Sequence, residues 1–270
     1  MTQVVLALLI GSAPARADEP LRASLDYAIL AQPYQNSVRL NTSGVDTRIA
    51  VDRDPSSLYF GTIYTVSDTS SYFCDAGGQC LSDGNITGYR SLDGGRTFGG
   101  PFSLGLCSAG NTTYCVEGVN RPDIAVGNNG VVYVAAGSTI VRSLDQGLSW
   151  QTVASFKNFG SSASIATEDA TGAVYVADVN SSKIVLVTRS LDKGQTWSSP
   201  ITVSGGATGS IPQMAAFRDS VLVAFLSGSG SPAYVTVAAS HDGGRTWPII
   251  TAVSPQKLCY SASPSMTVSL

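Results

Sequence analysis

Ser240-His241-Asp242-Gly243-Gly244-Arg245-Thr246-Trp247 decides how this chain is read, because it recurs. Ser190-Leu191-Asp192-Lys193-Gly194-Gln195-Thr196-Trp197 and Ser143-Leu144-Asp145-Gln146-Gly147-Leu148-Ser149-Trp150 keep the same order. Ser91-Leu92-Asp93-Gly94-Gly95-Arg96-Thr97-Phe98 does so with Phe in the last place. The boxes follow one another at intervals of about fifty residues, and a fixed period of that length marks a repeat architecture. Asp followed two residues later by Gly predicts a tight turn: the carboxylate accepts backbone N–H groups and Gly supplies a positive φ. All 3 tryptophans of the chain, Trp150, Trp197 and Trp247, are spent on this one position, which argues for packing rather than recognition.

Around each box the grammar is constant. A short run such as Ser164-Ile165-Ala166 is followed by a turn and a β-rich run. A second β-rich run then ends in the box, and a last short strand closes the unit. The third copy runs through Ala173 to Ala177, Ile184 to Arg189 and Ile201 to Val203. The second runs through Asp123 to Val126, Val131 to Ala135, Ile140 to Arg142 and Thr152-Val153. The fourth uses Gln213 to Ala215, Val221 to Leu226, Tyr234 to Ala239 and Ile249 to Val253. The first uses Arg48 to Val51, Leu58 to Thr65, Ile86 to Arg90 and Pro101 to Leu104. No stretch has helical periodicity. Four strands per repeat predict one propeller blade per repeat, with blades over about 42–105, 120–156, 161–204 and 210–254 within a domain covering 18–270.

The box resembles the Asp box of the bacterial neuraminidase repeat, found in sialidases and other secreted propellers. The resemblance covers residues 42 to 254 and implies an all-β, sialidase-like β-propeller of four-stranded blades. It also implies that the boxes lie on the hairpin between the third and fourth strands, away from catalysis. Asp93, Asp145, Asp192 and Asp242, with Phe98, Trp150, Trp197 and Trp247, are therefore expected to be structural. The chain holds four blades, and Pro264-Ser265-Met266-Thr267-Val268 matches the opening of a fifth. Sialidase-like propellers have six blades, so a truncated six-bladed ring is expected over a five-bladed one closed by residues 25–41 and 264–270.

Composition narrows function. Charged residues are 13% of 270 and the net charge is −3, with no clustered basic face to hold nucleic acid. The 1 histidine, His241, lies in a turn, so a His-based zinc site has no material and a Ser-His-Asp triad would have to be built on a box. No Gly-rich phosphate loop opens a helix. No metal or cofactor is expected. Val4 to Ile10 is an apolar run too short to span a bilayer, and Ala15-Arg16-Ala17 is a small-x-small cleavage site. Residues 1–17 therefore read as a signal peptide, although Met1-Thr2-Gln3 lacks a basic residue. Secretion, extracellular or periplasmic, is the expected localisation. Cys74 with Cys80 and Cys107 with Cys115 bracket short polar loops, which suits disulfides in an oxidising compartment. Four cysteines allow three pairings, and Cys259 is left over. Asn41, Asn85, Asn111 and Asn180 each begin an Asn-x-Ser/Thr sequon.

Antiparallel strands alternate direction, so loops alternate faces. Both cysteine-bearing insertions fall on the face opposite the boxes, and binding sites concentrate on such loops. The starts of the first strands point into that mouth: Arg48, Asp123, Ser164, Gln213 and Ser265, with Arg121 just before the second blade. The insertions add Asp75, Asp83 and Glu117. Arginine among carboxylates suits an acidic or hydroxylated sugar. The resemblance to sialidases implies an arginine in an Arg-Ile-Pro motif opening the first blade, where this chain has Arg48-Ile49-Ala50. Further arginines, and a late tyrosine nucleophile paired with glutamate, are not assigned; Tyr260 is left open, and Glu168 falls on the box face. Two functions follow: a binding module taking glycan or extracellular protein at the mouth, or a sialidase-like exo-glycosidase whose remaining residues lie beyond Leu270.

Overall fold

A computed structural model describes residues 5–7, 45–69, 72–74, 80–82, 85–105, 121–160, 162–228, 234–253 and 265–267. It contains four antiparallel sheets of four strands, each a meander in which sequence neighbours pair. β1 is Val5–Ala7. Blade one comprises β2 (Val45–Val51), β3 (Ile63–Asp68), β6 (Asn85–Ser91) and β7 (Gly99–Gly105), and its insertion carries the hairpin β4 (Tyr72–Cys74) and β5 (Cys80–Ser82). Blade two is β8 (Asp123–Gly127), β9 (Val131–Ala136), β10 (Thr139–Ser143) and β11 (Gln151–Ser155). Blade three is β12 (Ser164–Glu168), β13 (Ala173–Val179), β14 (Val185–Ser190) and β15 (Ile201–Thr202). Blade four is β16 (Gly209–Phe217), β17 (Ser220–Ser227), β18 (Tyr234–Ser240) and β19 (Ile249–Ala252). The first strands pack side by side in order, β2 on β8, β8 on β12 and β12 on β16, and β20 (Ser265–Thr267) continues the series against β16. β1 pairs with β20 in parallel.

The apolar runs are explained by this stacking. Every residue of β9 and β13 is buried, because a sheet between two sheets has no solvent face and its strands need not alternate. β11, at a blade's outer edge, has no buried residue. The cores lie between blades. Tyr64, Val66 and Leu104 meet Val132 and Val134 across the first seam. Tyr133 and Ile140 meet Ile165 and Val176 across the second, and Tyr175 and Val187 meet Val221 and Phe225 across the third.

Each box joins the third and fourth strands of its blade, as the sequence predicts. In all four, the Ser hydroxyl donates to the Asp Oδ1 and accepts the N–H of the Gly two residues after the Asp. The Asp also accepts the N–H and hydroxyl of the following Thr or Ser. Gly95, Gly147, Gly194 and Gly244 sit at φ of +88°, +82°, +80° and +74°, where other residues pay a steric penalty. The terminal aromatic reaches a seam: Trp150 stacks on Phe102 of blade one at 5.4 Å, and Trp197 meets Phe156 of blade two edge-on at 5.9 Å.

A second fastener repeats with the boxes. The residue before each box Ser is Arg90, Arg142 and Arg189 in the first three blades, and each guanidinium crosses to the next blade's box. Arg90 donates to Gln146 O at 2.8 Å, Arg142 to Lys193 O at 2.5 Å, and Arg189 to Gly243 O. Each arginine lies opposite a tyrosine in its own sheet, Tyr64, Tyr133 and Tyr175. In blade four both partners are replaced, by Ala239 and Leu222.

One expectation is corrected. Leu58 to Thr62 was expected in the second strand of blade one, but the strand begins at Ile63 and the preceding segment is a long turn. Asp52 accepts Asp54 N–H and the Ser57 hydroxyl, and Asp54 accepts Ser56 N–H, so local carboxylate bonds replace the ladder. Leu58 is 92% exposed there.

Candidate functional site

At the mouth, the first strands are tied across blades by polar side chains. Asp123, which opens β8, accepts the Ser164 hydroxyl and Ile165 N–H of blade three, both at 2.9 Å, through Oδ2. Its Oδ1 accepts Ile124 N–H and lies 3.9 Å from Arg48 Nε of blade one. Ser164 Oγ in turn accepts Met214 N–H of blade four at 3.0 Å. One series, Arg48–Asp123–Ser164–Met214, thus links four blades along their first strands. Burial raises the Asp123 pKa, and the hydrogen bonds and Arg48 offset that only in part. Arg121 pairs with Asp46 at 3.5 Å. Gln213 turns back, donating to Pro212 O. Asp75 and Glu117, and Cys107 with Cys115, lie outside the described residues. Cys74 stands directly opposite Cys80 in the β4–β5 register.

Beside this series a cleft of about 550 Å³ opens between blades two, three and four. Its walls are residues 157–160 with Ser162, the hairpin turn 179–183 and the start of β16, all on the mouth face. Among the described residues, the charged ones that line it are cations: Arg121, Lys157 and Lys183. Lys183 and Ile211, both lining, hold φ of +62° and +51°. A left-handed β-branched residue is a backbone outlier, and such strain collects at functional sites. The turn is fixed by Asn180 Oδ1, which accepts Ile184 N–H, and by Gly209 N–H donating to Lys183 O at 2.6 Å.

Behind the wall lies Asp178, which is 0% exposed. Its Oδ1 accepts Ser162 N–H at 3.2 Å and Val179 N–H at 2.6 Å, anchoring the link that forms one wall. Its Oδ2 is buried without a partner. Burial pushes its pKa up to about 7, against the smaller opposing effect of those N–H donors. Lys157, Lys183 and Asp178 are not among the residues the sequence singles out. The available signal for Asp178 was a carboxylate inside the otherwise apolar run Ala173–Val179.

The box carboxylates are the electrostatic opposite. Hydrogen bonds from Thr97, Ser149 and Thr196 hold Asp93, Asp145 and Asp192 down at about 2, and Thr246 holds Asp242 lower still. They are ionised and saturated with donors. His241 Nδ1 lies 3.1 Å from the Ser220 hydroxyl, but Asp242 is committed to its box, so no triad forms.

No known family's sequence profile and no curated protein sequence matches this chain. Solved structures do. A protein of unknown function from Dyadobacter fermentans is 20% identical, with a TM-score of 0.55 over 77% of this chain and 64% of its own. A sialidase from Streptococcus pneumoniae, in complex with a chlorobenzylammonio-ethanesulfonate, is 12% identical, with a TM-score of 0.55 over 86% of this chain and 56% of its own. A glycoside hydrolase family 43 arabinoxylan arabinofuranohydrolase from Bacillus subtilis, in complex with cellotetraose, is 12% identical, with a TM-score of 0.50 over 77% and 52%. The chain is a sialidase-like β-propeller in fold, and it spans between about half and two thirds of the length of these structures.

Proposed function

We propose that this chain is a secreted Asp-box propeller that binds a glycan at its mouth. The observation that carries the reading is the pairing of the Arg48–Asp123–Ser164 series with the adjoining cationic cleft. Guanidinium, carboxyl, hydroxyl and amide groups converge there on the face free of the structural boxes, and such convergent polar groups suit a polyhydroxylated ligand. The two glycosidase neighbours share the scaffold, which supports a carbohydrate over a protein ligand. Export fits the signal-like first 17 residues and the Cys74–Cys80 register. A glycan array probed with the labelled protein should identify a ligand, and Arg48→Ala should weaken it about tenfold or more, the scale of losing a charge-assisted hydrogen bond. Failure to bind any glycan on a broad array would overturn the reading.

A sialidase-like hydrolase is the second reading. It is favoured by Asp123, a carboxyl on the mouth face whose pKa burial raises against the opposing pull of Arg48. Turnover of a fluorogenic sialoside that Arg48→Ala abolishes would establish it; silence across a sialoside panel would exclude it.

A further inference from the structure

The cleft between blades two, three and four has features that general sugar binding does not demand. Two lysines, Lys157 and Lys183, reach it from different loops, and among the described residues neither forms an ion pair. The one arginine among its described lining residues, Arg121, is engaged with Asp46. The remaining polar lining is hydroxyl and amide, including Ser162, Ser210 and Asn180, and no carboxylate lines it among the described residues. In a chain of net charge −3, this is a local reversal of sign. Lys183 is held in place by a left-handed turn and a bond from blade four, so its backbone is fixed before any ligand arrives. Asp178 braces the opposite wall from behind through the Ser162 N–H.

The kind of anion follows from the kind of cation. A planar carboxylate is best matched by a free guanidinium fork, which this cleft lacks, whereas lysine is a compact point charge with three rotatable donors. Two such charges with neighbouring hydroxyl and amide donors match a tetrahedral group whose oxygens point in several directions. We propose that the cleft is a subsite for a tetrahedral oxyanion ester, sulfate or phosphate, carried on the bound sugar, with Lys157 and Lys183 as its charged ligands. This rests on the mouth being a glycan site, and it assigns the ligand's anionic substituent to a place distinct from the Arg48–Asp123 pair.

Isothermal titration of the full chain with N-acetylglucosamine, its 6-sulfate and its 6-phosphate tests the assignment. An ester should bind about tenfold or more tightly than the parent sugar, with an affinity that falls as salt rises. Lys157→Gln and Lys183→Gln should each remove that advantage, bringing ester affinity down to that of the parent sugar on the same variant, while leaving circular dichroism unchanged. Preference for one ester identifies which of the two sources the site accepts. Equal binding of parent and esters, or an ester preference that survives both lysine variants, overturns the subsite and leaves glycan binding standing. If the array and all three sugars are silent, glycan binding itself falls, and the subsite falls with it.

Discussion

Asp178 gives the structure a stability signature that can be calculated before it is measured. In the unfolded chain its carboxyl ionises near 3.8, and in the folded chain burial moves this to about 7. Between those values the folded protein holds a proton that the unfolded chain has released, so stability falls as pH rises across the window, and it levels off above it. The separation of about 3 in pKa corresponds to roughly 4 kcal/mol. Asp178→Asn keeps an acceptor for Ser162 and Val179 N–H but cannot ionise. At about pH 4 the variant should be less stable by about 1–3 kcal/mol, because its amide N–H₂ is buried without an acceptor where Oδ2 already had no partner. At about pH 8 the order should reverse, the gap between the two proteins having moved by roughly 4 kcal/mol in the variant's favour. Urea unfolding at a series of pH values, followed by the tryptophans at the blade seams, measures the gap. Asp123 titrates equally in both proteins and cancels. Stability curves that run parallel from about pH 4 to about pH 8 would refute the assignment of a protonated, buried carboxyl at this position.

Other outcomes follow from the fasteners. Ser190→Ala removes the acceptor of the buried Gly194 N–H and should cost about 1–3 kcal/mol by urea denaturation. Arg142→Met leaves Lys193 O without its cross-blade donor and should destabilise by a similar amount, about 1–3 kcal/mol, while Arg142→Lys should recover part of it. The box carboxylates of Asp93, Asp145 and Asp192, held at about 2, contribute stability that is present above 3.8 and is lost as pH falls through their folded values; carboxyl NMR titration should place all three well below 3.8. Peptide mapping of protein produced in an oxidising compartment should find Cys74 joined to Cys80, as their direct cross-strand register predicts; reduced thiols at both would contradict this.

The boxes were legible because they are local. Ser, Asp, Gly and Trp within eight residues carry their own turn chemistry, and their spacing marks out the four described blades, their strand order and the face to search. Arg48 and Asp123 were legible for the same reason, since one lies on the first strand of blade one and the other opens the first strand of blade two. The cleft was not. Arg121, Lys157, Lys183 and Ile211 come from three blades, and only packing brings them together. The Tyr–Arg pairs repeat in three of the four blades, but their meaning depends on a bond to the following blade, which no single repeat displays. Leu58 and Phe60 misled because apolar side chains resemble a strand; Asp52 and Asp54 beside them were the stronger, turn-forming signal.

The central claim divides the molecule into a binding face and a fastening face. Hydrogen–deuterium exchange of the full chain, with and without the best glycan from an array, tests that division directly. Protection is expected in the peptides covering β2, β8, residues 157–160 with Ser162, the turn 179–183 and the start of β16. Protection centred on the box turns 91–98, 143–150, 190–197 and 240–247, with the mouth peptides unchanged, would contradict it.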